Sequence, residues 1–193
     1  MFIPKTYTYL FLSSAAFTLA SCRNNVIEKL EQKKFFSLKT YFETEAVRLD
    51  KSKLLVAKKV SENGKTESKT LTDVKWAEEL AFVGESDINR IAWVDKYSVD
   101  TVSFDDNNLV TYVALDENLA VKRVALTFNK ETNECLSVSV EKGTDNFLYS
   151  SWQKIFYTPG NQLNIYGHLS VRWLFEKDYA TDFVIVQTEE LDN

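Results

Sequence analysis

From Tyr97 onward the chain is cut into short strand-like runs by clusters of turn-forming residues, and this spacing limits the fold more than any other feature. The clusters are Asp105-Asp106-Asn107-Asn108, Asp116-Glu117-Asn118, Asn129 to Glu134, Gly143 to Asn146, Pro159-Gly160-Asn161 and Glu176 to Asp182. Asn, Asp, Gly and Pro bend a backbone cheaply, by accepting left-handed conformations, by fixing φ, or by bonding their own main chain. Seven strands are implied between and beside these clusters. Connections this short join only antiparallel neighbours, so the strands should form a meander of hairpins.

The clearest alternation is Leu163, Ile165, Gly167, Leu169, Val171, Trp173 and Phe175, read as one strand with an apolar row. Tyr166, His168 and Arg172 fall on its opposite face. The runs Leu109 to Leu115 and Val121 to Phe128 are apolar on both faces, so the second face of the sheet is expected to be covered by helices or by a ligand.

Helical spacing precedes the strands. Val26 to Leu49 contains no Gly or Pro, and Phe35, Leu38, Phe42, Ala46 and Leu49 recur on one helical face. Residues 54–71 read as two strands around Asn63-Gly64, a strong hairpin signal. Thr70-Leu71-Thr72-Asp73 has capping-box spacing ahead of Val74, Ala77, Leu80 and Ala81, which predicts a helix ending near Gly84. A further helical turn is expected from Ser86 to Val94, with Ile88 and Ile91 on one side. Helices followed by an antiparallel sheet give the α+β class, with N-terminal helices packed on a curved or half-barrel meander.

The N-terminus reads as an address. Residues 1–21 carry one positive charge, Lys5, then an apolar run from about Tyr7 to Leu19, and no acidic residue. That is the layout of a secretory signal, and the run is too short for a bilayer core of roughly 20 apolar residues. Leu19-Ala20-Ser21-Cys22 resembles the lipobox of bacterial lipoproteins. The resemblance implies cleavage before Cys22 and acylation of its thiol and amine, and two or more acyl chains anchor stably where one does not. Residues 22–193 would then form a single domain anchored through Cys22. Arg23, in place of an inner-membrane retention aspartate, points to the outer membrane, and Arg23-Asn24-Asn25-Val26 lack the acidic cluster that resembles a surface-export signal, which points to its periplasmic face.

Removing 21 of 193 residues leaves 172, enough for one domain with a real core. With Cys22 lipidated, Cys135 is the other cysteine, so no intramolecular disulfide can form, and Cys135 reads as a half-buried strand thiol. The net charge of −5 becomes −6 without Lys5, which excludes a general nucleic-acid binder. Residues 22–84 hold 13 Lys/Arg against 10 Asp/Glu, whereas residues 85–193 hold 9 against 18. Lysines of the hairpin region read as a solvated edge that discourages strand pairing between molecules.

No catalytic, metal or cofactor constellation stands out. His168 is the only histidine and has no Cys or His at metal-ligand spacing, and no G-x-S-x-G elbow is present. Asp105-Asp106-Asn107-Asn108 lacks the glycine and distal glutamate of a calcium loop. The expectation is therefore a protein that is not an enzyme. Tyr166, His168 and Arg172, with Tyr112 and Trp152, are the candidate ligand-binding set, aromatic bodies with a few polar handles. The four Trp residues are otherwise expected in the core.

The segments Phe35-Phe36-Ser37-Leu38-Lys39-Thr40-Tyr41-Phe42, Trp76-Ala77-Glu78-Glu79-Leu80 and Asp87-Ile88-Asn89 with Trp93 resemble those of small uncharacterised lipoproteins of Bacteroidota. That resemblance implies an outer-membrane lipoprotein and brings no activity. The inferred shape also resembles the half-barrel lipoprotein carriers of the outer-membrane localisation pathway, which hold acyl chains. The functional expectation is an anchored binding module for an apolar ligand or a membrane-protein partner; the alternative is a structural or assembly accessory without a small-molecule ligand.

Overall fold

The computed structural model describes residues 35–52 and 54–186. The expected signal, Cys22 and the first part of the expected N-terminal helix lie outside the described residues. Among those described, helix α1 (Leu38–Ser52) leads into the hairpin β1 (Leu55–Glu62) and β2 (Lys65–Leu71), and α2 (Trp76–Gly84) follows. A 3-10 turn at Ile91–Trp93 precedes β3 (Tyr97–Phe104), β4 (Asn107–Ala114), β5 (Val121–Asn129), β6 (Cys135–Asp145), β7 (Tyr149–Thr158), β8 (Gln162–Val171) and β9 (Phe175–Val186).

All nine strands make one curved antiparallel sheet that does not close, in the order β2-β1-β9-β8-β7-β6-β5-β4-β3. Strands β3 to β9 form the expected meander of seven, and β1 adds to it by pairing with β9. The β1–β2 turn is the expected two-residue one, with Asn63 at φ 47° and Gly64 at φ 81°, the left-handed pair that matches strand twist.

One sheet face carries both helices. Val124, Leu126, Val138, Val140, Ile155, Leu163 and Phe183 point into a core closed by Leu38, Phe42 and Leu49 of α1 and by Trp76, Leu80 and Val83 of α2. Ring contacts fix the helices across the sheet: Phe42 meets Tyr157 at 5.2 Å, and Trp76 meets Phe183 at 6.1 Å. Under α1, Glu45 is 7% exposed. Its carboxylate accepts from Arg48 at 2.8 and 2.7 Å and from the Tyr157 hydroxyl. Burial pushes the Glu45 carboxyl up, but those hydrogen bonds outweigh it and hold the group below its ordinary value. Cys135 is half-buried on β6, as expected, and burial pushes its thiol up to about 11.

Several local expectations are corrected by tertiary contacts. Helix α1 starts at Leu38, and Phe35 to Ser37 are not helical. Asn89 captures their main chain: its Oδ1 accepts from Phe35 N–H, and its Nδ2 donates to the Phe35 and Phe36 carbonyls. The Asp87 carboxylate then accepts from Lys39 N–H at 2.9 Å and the Ser37 hydroxyl at 2.8 Å, a cap supplied from a distant loop. The Thr70-to-Asp73 capping box does not form, because Thr70 and Leu71 pair in β2. Trp76 N–H instead donates to Asp50 Oδ1 of α1. Ile88 is buried but Ile91 is exposed, so these two do not share a packed side.

The largest correction concerns the last hairpin. The row read as one strand to Phe175 turns back at Arg172-Trp173-Leu174, and Glu176 to Asp182, expected as a turn, lie inside β9. Likewise Gly143 to Asp145 belong to β6, and its turn comes later, at Asn146 to Leu148.

Candidate functional site

Of the two expected covers for the sheet face opposite the packed one, helices or a ligand, the helical one is not found among the described residues. The register places Trp152 of β7 beside His168 of β8 and Asp178 of β9, with Lys154, Tyr166 and Ala180 in the next row. Trp152 stacks on the His168 ring, centroids 6.5 Å apart at 13°. His168 Nδ1 lies 2.7 Å from Asp178, and Nε2 lies 3.3 Å from Glu176, so both ring nitrogens face carboxylates. The Tyr166 hydroxyl donates to Asp182 at 3.2 Å, and burial, followed by that neighbouring carboxylate, raises its pKa.

Three of the five candidate ligand residues, Trp152, Tyr166 and His168, therefore share this face. Tyr112 does not. It is buried on the helix side, where its hydroxyl accepts from Phe36 N–H at 3.2 Å and its ring meets Phe35 at 5.3 Å. Arg172 lies beyond the end of β8, in the turn, with its guanidinium 4.7 Å from the Phe147 ring centroid and 5.5 Å from that of Trp173. Two tryptophans are also not in the core, since Trp152 and Trp173 are exposed whereas Trp76 is buried.

A trough of about 500 Å³ opens on the uncovered face over β1, β2, β8 and β9. Ala57, Val184 and Tyr166 supply its apolar part, and Lys59 and Asp182 its charges. Its size falls in the range of small-molecule sites, roughly 300–1,000 Å³. Phe156, Trp152 and Val113 continue the exposed apolar surface across the same face. A second groove of about 510 Å³ separates α1 from α2, lined by Phe42, Ala46, Val47, Ala77, Leu80 and Ala81 among others.

Sequence reasoning did not find the trough, because its lining comes from both ends of the domain. Lys59 and Asp182 are distant in sequence and meet only through the β1–β9 pairing. It also missed the apolar turns Phe147-Leu148 and Trp173-Leu174, which read as strand continuations. Four consecutive apolar or cationic residues, Arg172 to Phe175, breaking a strict alternation were the available signal.

The geometry defines a class by architecture: an open, one-side-covered antiparallel sheet with a helix pair on its packed face. No family model matches the chain, and neither a curated protein nor a solved structure is significantly similar to it.

Proposed function

We propose that the chain is a lipid-anchored, non-enzymatic binding module on the periplasmic face of the outer membrane, and that its ligand is an apolar molecule with an acidic head. The trough on the uncovered face carries this reading. Val184, Ala57 and Tyr166 offer apolar contact, while Lys59, on the same face, is the cation within reach of a carboxylate or phosphate. Asp182, which accepts from Asn164 at 2.9 Å and from Tyr166, holds the polar floor in place. The lipobox resemblance of Leu19 to Cys22 and the resemblance to small lipoproteins of Bacteroidota support the address.

Native mass spectrometry of the full chain, with palmitate and a lysophospholipid as probes, tests the binding half. A co-purifying or added lipid mass that disappears in Val184→Asp is expected. A clean apo mass, together with a melt that neither probe shifts, would overturn it and leave a structural accessory. Labelled fatty acid tests the address separately: incorporation should vanish in Cys22→Ser, and normal maturation of that variant would sink the anchor.

A further inference from the structure

The distal ends of two neighbouring hairpins form a projection whose composition is unlike the rest of the surface. Strand β6 runs on through Gly143, Thr144 and Asp145 past its last β5 partner, Lys142. Strand β9 begins with Phe175 to Asp178 before its first β1 partner, Tyr179. At about 3.3 Å per residue, β6 to β9 thus extend roughly 10–13 Å beyond the strands on either side.

The tip of this prong is apolar and outward. Trp173 is 81% exposed, Leu174 77%, Phe147 67% and Leu148 64%, with Phe175 also exposed. These are not loose ends. Asn146 Oδ1 accepts from Leu148 N–H at 2.9 Å and from Tyr149 N–H at 3.0 Å, which shapes one turn. Arg172 N–H donates to the Leu148 carbonyl at 3.0 Å and ties the second turn to the first. Phe147 and Trp173 meet edge to face at 5.9 Å. Trp173 sits at φ 65°, a left-handed conformation that costs a bulky residue energy and that glycine would adopt freely. Burial within the chain does not repay that cost, because the side chain is outside.

The groups behind the tip change in order. Tyr149 and Val171 come first on β7 and β8, then Ser150 with Ser170 and Ser151 with Leu169, followed by Trp152 and His168. The carboxylates Asp145, Glu176 and Asp178 stand behind the tip and none is in it. Arg172, the cation of the tip, makes ring contacts and no ion pair among the described residues. Apolar and aromatic side chains outermost, hydroxyls behind them, and a cation able to turn back to a phosphate match the depth profile of a membrane interface. A protruding, convex tip with its apolar side chains 64–81% exposed offers its area to a fluid surface and forms no groove for a fixed partner.

We propose that this prong inserts into the interface of a phospholipid membrane, with Phe147, Leu148, Trp173 and Leu174 in the acyl region and Arg172 at the phosphates. With one cation at the tip and carboxylates behind it, insertion depends on apolar burial and little on anionic lipid or salt. The inference rests on the anchored reading only in needing a membrane close by.

The test uses the full chain on phosphatidylcholine vesicles, with flotation reporting attachment and tryptophan fluorescence reporting the prong. Brominated acyl chains should quench Trp173 emission at a depth of about 5–10 Å. Trp173→Phe should remove most of that quenching, and Phe147→Asp with Leu174→Asp should return Trp173 to aqueous iodide without changing the far-ultraviolet circular dichroism. Adding phosphatidylglycerol or salt should change the quenching less than about twofold. A chain that floats while Trp173 is quenched by iodide and not by bromolipid overturns the insertion and leaves the anchor intact. Quenching that persists in Trp173→Phe, or that requires anionic lipid, overturns it as well, and so does a wild-type chain that does not float. Loss of fatty-acid labelling at Cys22 bears on the anchor alone.

Discussion

Glu45 is the one buried carboxylate in the described helix–sheet interface, and Glu45→Gln measures what it contributes. The substitution keeps shape and removes charge. The Arg48 side chain is 49% exposed, so its pairing is screened and contributes about 0.2–1 kcal/mol. Tyr157 is 2% exposed, and its hydroxyl bonded to an anion belongs in the range of about 1.5–3 kcal/mol. The amide oxygen of Gln would restore a neutral bond of about 0.5–1.5 kcal/mol, leaving a net loss there of about 1–2 kcal/mol. Together these give about 1.5–3 kcal/mol, a fall in melting temperature of about 3–12 °C for a domain of this size. Urea and thermal denaturation of Glu45→Gln, Tyr157→Phe and the double variant should show coupling of about 1–2 kcal/mol, because Tyr157→Phe removes the same bond that Glu45→Gln weakens. The pH dependence adds a check. The folded carboxyl titrates below its unfolded value of about 4.3, so its stabilisation is complete above that pH and is lost as pH falls through the lower, folded value. That part of the acid-side slope should be absent from Glu45→Gln. A variant that melts within about 1 °C of wild type, or singles that add without coupling, would refute this account of how α1 is held.

Asp87→Ala should cost about 1–3 kcal/mol and speed amide exchange at Lys39, because the carboxylate caps α1 from outside the helix. Burial raises the Asp87 carboxyl, but hydrogen bonds from Asn89, Lys39 and Ser37 bring it below its ordinary value; this support too should disappear as pH falls below about 3.9, measured by acid denaturation. Gly167→Ala should destabilise by about 1–3 kcal/mol in urea melts, since a Cβ there would lie 2.3 Å from the Tyr179 ring, whose hydroxyl also accepts from Gln153. Gly64→Ala meets nothing within 4 Å, so its cost should be only the left-handed backbone at φ 81°, about 1–2 kcal/mol, with the Asn63–Asp178 turn contacts retained by NMR.

Local chemistry was enough to determine the elements whose causes are local. The seven-strand meander follows from turn clusters such as Asp105-Asp106 and Pro159-Gly160-Asn161, the first hairpin from Asn63-Gly64, and the packed face of α1 from Leu38, Phe42 and Leu49 at helical spacing. Tertiary structure decided whatever depended on partners far away in the chain. Helix α1 begins where Asn89 and Asp87 take over its backbone, and Thr70 pairs in β2 in place of capping α2, because distant groups outcompete local propensity. The run Glu176 to Asp182 lies in β9, since pairing with β8 satisfies its main chain while Glu176 and Asp178 face His168, Tyr179 packs against the core and Asp182 accepts from Asn164 and Tyr166. The Arg172-Trp173-Leu174 turn defied its alternation for the same reason: strand length is set by the neighbour that β8 must match, Tyr149 to Thr158, and not by where the apolar row happens to stop. Tyr112 was separated from Trp152, Tyr166 and His168 by that same register, which gives each strand residue one face of the sheet and so decides which candidates can meet a common ligand.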